Sequence, residues 1–108
     1  MNSTVWISYD LGVRGDYEGL YAWLDDHEAK ECGDSMALLK YSHSDDLIER
    51  LKSDLQAAVE INKKTRIYVI YRDRSTNKNR GKFIFGKRKA AAWVGFGASD
   101  GGNVDEED

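Results

Sequence analysis

Twice along this chain an apolar pattern of period two gives way to one of helical period, and that alternation restricts the fold more than any other feature. In Val5–Asp10, Val5, Ile7 and Tyr9 alternate with Trp6, Ser8 and Asp10, a β-branched and aromatic pattern that predicts a strand. Gly12 and Gly15 break it, and Asp16 stands where a helix cap is needed. Tyr17, Leu20, Tyr21, Leu24 and His27 then recur at helical spacing, with Trp23 beside them and Glu18, Asp25, Asp26 and Glu28 on the polar side. After "ECGDS" the cycle repeats. Met36–Tyr41 reads as a second strand, Ser44 and Asp45 as caps, and Leu47, Ile48, Leu51, Leu55, Ala58 and Val59 as the stripe of a second helix ending near Asn62.

The remainder reads as β. Arg66–Tyr71, "RIYVIY", is apolar or aromatic after its first residue, which predicts a central strand covered on both faces. "RDRSTNKNRG" reads as a polar turn, and Lys82–Phe85 as the strand returning from it. "AAAWVGF" fits either a last short strand or a docking segment. The order β-α-β-α-β-β predicts an α+β sandwich of the ferredoxin-like type, with two helices on one face of a mainly antiparallel four-stranded sheet. Residues 1–96 are expected to form that single domain. Residues 97–108, acidic and glycine-rich, hold too little apolar surface to order themselves and are expected to be a disordered tail.

Bulk properties narrow the class of function. Hydrophobic residues are 41% of the chain and charged ones 32%, an ordinary globular balance. No apolar run approaches the roughly 18 residues of a membrane span, and no signal-peptide pattern opens the sequence, so no membrane partner and a cytoplasmic location are expected. The single cysteine, Cys32, excludes an internal disulfide and a cysteine-based zinc site. The net charge of −3 hides a strong segregation. Residues 1–62 hold 5 basic and 13 acidic side chains; Lys63–Lys89 holds 11 basic ones against Asp73 alone; residues 90–108 hold 5 acids and no base. Such segregation bears on partners more than on fold.

"VWISYDL", a glycine turn and "DYEGLYAWL" together resemble the start of the VapD/SinR-like superfamily, which also contains the small CRISPR adaptation protein that partners the integrase. The second helix and "RIYVIY" lie at compatible distances, so the resemblance covers roughly residues 4 to 71. Past Tyr71 the chain departs from the pattern, with a long basic hairpin and "GKRKAAAWVGF" where a short final strand would stand. The resemblance implies a ferredoxin-like fold and a homodimer formed through the sheets. It also implies a function on nucleic acid, as a metal-dependent endonuclease in the nuclease members. There the aspartate matching Asp10, one from each of two protomers, holds a divalent metal. Asp10 is thus the expected catalytic residue and Mg²⁺ ligand, with Ser8 two residues back on the same strand face. The residues themselves leave a second reading open, in which Asp10 accepts backbone N–H groups in the "DLGVRG" turn.

The basic segment is the other candidate site. Arg72, Arg74, Arg80, Lys87, Arg88 and Lys89 are the expected phosphate contacts, interleaved with Tyr71, Phe83, Phe85 and Trp93. The competing reading is a solvated hairpin whose aromatics alternate into the core, or a basic stretch paired with the acidic half or with a partner's acids. The acidic tail reads either as a competitor for that hairpin or as a solubility device. His27 reads as a packed core-edge residue and His43 as a loop residue, neither at zinc-ligand spacing. Cys32 sits in an acidic setting that disfavours a thiolate, and "GFGASDGG" lacks the lysine and the strand-to-helix context of a phosphate loop. Beside nucleic-acid binding stands a runner-up: a non-catalytic dimeric interaction or regulatory module that keeps the fold and binds a protein partner.

Overall fold

The computed structural model describes residues 2–97. It is an α+β arrangement in the order β1 (Asn2–Asp10), α1 (Tyr17–Asp26), β2 (Lys30–Glu31), β3 (Met36–Ser42), α2 (Leu47–Ala58), β4 (Arg66–Asp73) and β5 (Lys78–Phe85). The strands form one sheet in the order β2-β3-β1-β4-β5, and every neighbouring pair is antiparallel. This is compatible with the ferredoxin-like type. The sheet has five strands where four were expected. The extra one, β2, is a two-residue strand at the entry to the "ECGDS" stretch that reads as a turn, too short to carry a period.

Register explains which residues line which face. Val5 faces Leu39 and Tyr71 across its two neighbours, and Ile7 faces Ala37 and Val69. These odd-numbered residues of β1, β3 and β4 point to the helices, where Leu20, Trp23 and Leu24 of α1 and Leu51 and Leu55 of α2 meet them in one buried core. Each fully buried leucine there contributes about 1.5–3 kcal/mol relative to exposure. Asp16 caps α1, and its second oxygen accepts the Glu60 N–H at 2.9 Å, tying the exit of α2 to the entry of α1. Asp46, one residue later than the expected caps, accepts N–H bonds from Ile48 and Glu49. Tyr41 is buried and donates its hydroxyl to Asp54 of α2; burial and then that bond push its pKa up.

The even-numbered residues form the opposite face. Trp6 stands between Leu38 and Ile70, and Ser8 opposite Tyr68; Tyr68 in turn faces Phe83 of β5. Among the described residues no helix or strand covers this face, and Trp6, Leu38, Tyr68, Ile70 and Phe83 are each half-buried. The expectation that β4 is covered on both sides is therefore corrected: Ile67 and Val69 are buried, whereas Tyr68 and Ile70 belong to an open face. The hairpin is also tighter than its composition suggests. Asp73 accepts both the backbone N–H and the hydroxyl of Ser75, and Asn77 takes a left-handed conformation at φ 58°, so strand pairing continues out to Asp73 and Lys78.

A bulge between Ile67 and Tyr68 on the β4–β5 ladder divides the aromatics of β5. Phe85 turns into the core beside Ile67 and Tyr71 packs against that core, while Phe83 stays on the open face and Trp93 is exposed, so the reading in which the hairpin's aromatics alternate into the core holds for Tyr71 and Phe85. "AAAWVGF" forms neither strand nor buried docking segment; residues 92–96 are turns, with Trp93 77% and Phe96 87% exposed. Beyond Gly97 the expected acidic tail lies outside the described residues.

Candidate nucleic-acid interface

The open face ends in a cleft of about 530 Å³ where β1, β4 and β5 meet the chain that leaves β5. Its floor is the Tyr68–Phe83 pair, edge to face with centroids 4.8 Å apart. Gly81 makes that floor. It stands opposite Ile70, two pairs along from Tyr68 and on the same face, and a Cβ there would run into the Tyr68 hydroxyl, so the tyrosine ring lies across the glycine. Cations cover the rings: the Arg88 guanidinium is 5.4 Å from the Phe83 centroid and 5.7 Å from that of Tyr68, and Arg66 is 5.6 Å from Phe83. Ala90, Ala91, Ala92 and Trp93 form the outer wall.

Gly86 places the three consecutive cations that follow it. Its φ of +81° is one that side chains rarely adopt, and a Cβ would stand 2.7 Å from the Thr65 carbonyl oxygen. The chain therefore turns tightly under the start of β4, where Arg66 Nε donates to the Lys87 carbonyl at 3.0 Å. Lys87, Arg88 and Lys89 are brought beside Arg66, Lys63 and Lys64 at one end of the sheet.

Asp10 lies among them. Its Oδ1 accepts the Gly12 N–H at 3.1 Å, as the turn reading expects, and its Oδ2 lies 3.5 Å from Arg66 and 3.7 Å from Lys89. Within one chain this donor set does not suit Mg²⁺. It offers a single carboxylate with one oxygen turned to a backbone donor, and two cations within 4 Å of the other repel a divalent ion. Among the described residues no group of three His, Cys, Asp or Glu side chains converges on a point. Ser8 lines the cleft on the same strand face as Asp10.

The six cations expected to contact phosphate divide into three groups. Lys87, Arg88 and Lys89 gather at the Asp10 end. Arg72 and Arg74 line a recess with Trp6, Thr4 and Asn79 at the other end of the same open face. Arg72 donates to the Asn77 side chain and Arg74 to the Asn2 carbonyl. The two ends stand roughly 20 Å apart along β4. Arg80 is different. It pairs with Tyr71 on the helix-side register and donates to Asp73 at 2.8 Å. The Ser75 hydroxyl first, and also its N–H and Arg80, hold the Asp73 carboxyl below its usual range.

Sequence reading missed Tyr68, Arg66, Lys63, Lys64 and Trp6. The signal for Tyr68 was present: if Ile67 and Val69 face the core, period two sends Tyr68 to the opposite side. His27 and His43 are structural. His27 bonds the Trp23 carbonyl at 2.8 Å and stacks beside that ring, and His43 links Ser3 to the Asp45 carbonyl. Cys32 is exposed in the β2–β3 turn.

Charge is uneven between the layers. The helices carry Glu18, Asp25, Asp26, Glu49 and Asp54 against Arg50 and Lys52, while among the described residues the open face and its ends carry Lys40, Arg66, Arg72, Arg88 and Lys89 with Asp10. No family model matches this chain, and neither the curated proteins nor the solved structures yield a match.

Proposed function

We propose that this chain binds single-stranded nucleic acid across the open face of its sheet, and that Asp10 serves the binding surface as a turn and ion-pair residue. The observation that carries the reading is the Tyr68–Phe83 floor lying under Arg66 and Arg88. Unpaired bases present flat π-faces that stack on aromatic rings or on guanidinium planes, each worth about 1–3 kcal/mol, while flanking cations take the phosphates. A duplex hides those faces. A half-buried aromatic floor on an open sheet face, with cations over it and at both ends, therefore suits a single strand better than a double one.

The test is one set of tubes containing labelled single-stranded and duplex RNA and DNA, with and without Mg²⁺, in which anisotropy reads binding and a gel reads cleavage. Single strands are expected to bind, and Tyr68→Leu or Phe83→Leu, which keep apolar bulk but remove a ring, to weaken binding about tenfold or more. Cleavage that needs Mg²⁺ and disappears in Asp10→Asn would replace this reading with the nuclease one. No binding at all, together with a dimer in sedimentation equilibrium that Ile70→Glu dissociates, would replace it with the protein-interaction module.

A further inference from the structure

Below the aromatic cleft, and sharing Asp10, Arg66, Arg88 and Lys89 with it, lies a second recess of about 580 Å³. Lys63 and Lys64 from the loop before β4 and Lys87 from the chain after β5 complete its lining, with the backbone at Gly12 and Gly86. Among the described residues, six cations and one carboxylate thus line this recess, and that carboxylate is held by Gly12, Arg66 and Lys89. An internal phosphodiester carries one negative charge. A phosphomonoester carries about −1.5 to −2 near neutral pH, with three acceptor oxygens, and so dense a cluster stabilises it more than a phosphodiester.

The position of the recess agrees with its charge. The strand-borne aromatic floor stops beside it, because the bulge turns Phe85 into the core and, among the described residues, β5 carries no ring on the open face between Phe83 and Gly86. A strand lying along β4 over Tyr68 has strand-borne stacking surface toward Arg72, and toward Lys87 it meets the cations instead. Its last base rests on Tyr68 and Phe83, and what projects beyond is the terminal group.

We propose that this recess takes the phosphomonoester at the end of a single strand, making the protein selective for phosphorylated ends. The inference rests on the open-face reading above and extends it to a ligand class. The shared chemistry is a phosphomonoester one nucleoside away from a stacked base, which a 5′-phosphorylated or a 3′-phosphorylated end supplies.

The experiment uses the full chain and four probes of one sequence: short single strands bearing a 5′-phosphate, a 3′-phosphate or hydroxyls at both ends, and a circular single strand with no end. One of the phosphorylated strands is expected to bind at least tenfold tighter than the hydroxyl form, and which one fixes the polarity. In the double variant Lys63→Ala/Lys87→Ala, checked for native circular dichroism, that preference is expected to shrink to less than threefold, with affinity for the phosphorylated strand falling several times further than affinity for the circle. Equal affinity for phosphorylated and hydroxyl ends, or a preference the double variant leaves intact, overturns the inference while leaving open-face binding standing. Failure of every probe, the circle included, overturns both.

Discussion

At the scale of single residues, Asp10 shows how a carboxylate at the mouth of a sheet is assigned by its neighbours. Its Oδ1 satisfies the Gly12 N–H, a bond that an amide oxygen at the same place would also accept, while its charge acts on Arg66 and Lys89. Asp10→Asn is therefore expected to keep the turn, release two cations and tighten single-strand binding severalfold at low salt, as titrated by anisotropy. Weaker binding would mean that Asp10 orients Arg66 and Lys89 more than it competes for them. Asp16 makes a separable prediction. The Glu60 N–H and then the Gly19 N–H hold its carboxyl below the ordinary value of 3.8. A lowered folded-state pKa gives stability that is full above the ordinary value and is lost as pH falls through the lowered one. Thermal unfolding across acid pH should show that loss in the native chain and a flatter profile in Asp16→Asn, which keeps an acceptor but cannot ionise.

At the scale of elements, the β4–β5 hairpin builds the floor by combining a glycine, a bulge and a ring. Gly81→Ala sets a Cβ against the far end of the Tyr68 side chain, which has room to swing outward. The fold is expected to survive with unchanged circular dichroism, because alanine suits a strand at least as well as glycine. Tyr68 should leave the floor, and single-strand affinity should fall about as far as in Tyr68→Leu. These elements also mark what the sequence could tell. The strands, both helices and the inward residues were legible because burial on one side imposes a period. Tyr68 and Ile70 hid that period, since a half-buried open face is nearly as apolar as a core face. β2 is too short for a pattern, and the bulge that parts Phe83 from Phe85 depends on pairing that no local window contains. The cation cluster was legible only in part. Lys87, Arg88 and Lys89 announce themselves as a run, but Lys63, Lys64 and Arg66 join them only because Gly86 folds the chain under the start of β4.

At the scale of the whole molecule, the charge blocks in the sequence become layers in space. The helical layer is acidic and the open face basic, so a polyanion is steered toward one side of the molecule and repelled from the other. Binding should then weaken linearly with the logarithm of salt concentration, and Arg88→Ala/Lys89→Ala should flatten that slope by about 0.7 for each phosphate that is no longer neutralised. A salt-independent affinity would point instead to binding through the apolar residues Trp6, Leu38 and Ile70. The last charge block, residues 98–108, carries Asp100, Asp105, Glu106, Glu107 and Asp108 and no base. Asp100 follows Lys89 by 11 positions in sequence, and acids on so short a tether are expected to compete with a phosphate for Lys87–Lys89. Removing residues 98–108 should tighten single-strand binding severalfold at low salt. Above about 0.5 M salt, where the Debye length falls toward 3 Å at 1 M, the truncated and full-length chains should bind alike. An equal gain at every salt concentration would mean that the segment obstructs the cleft by its bulk, and no gain at all would leave it a role in solubility alone.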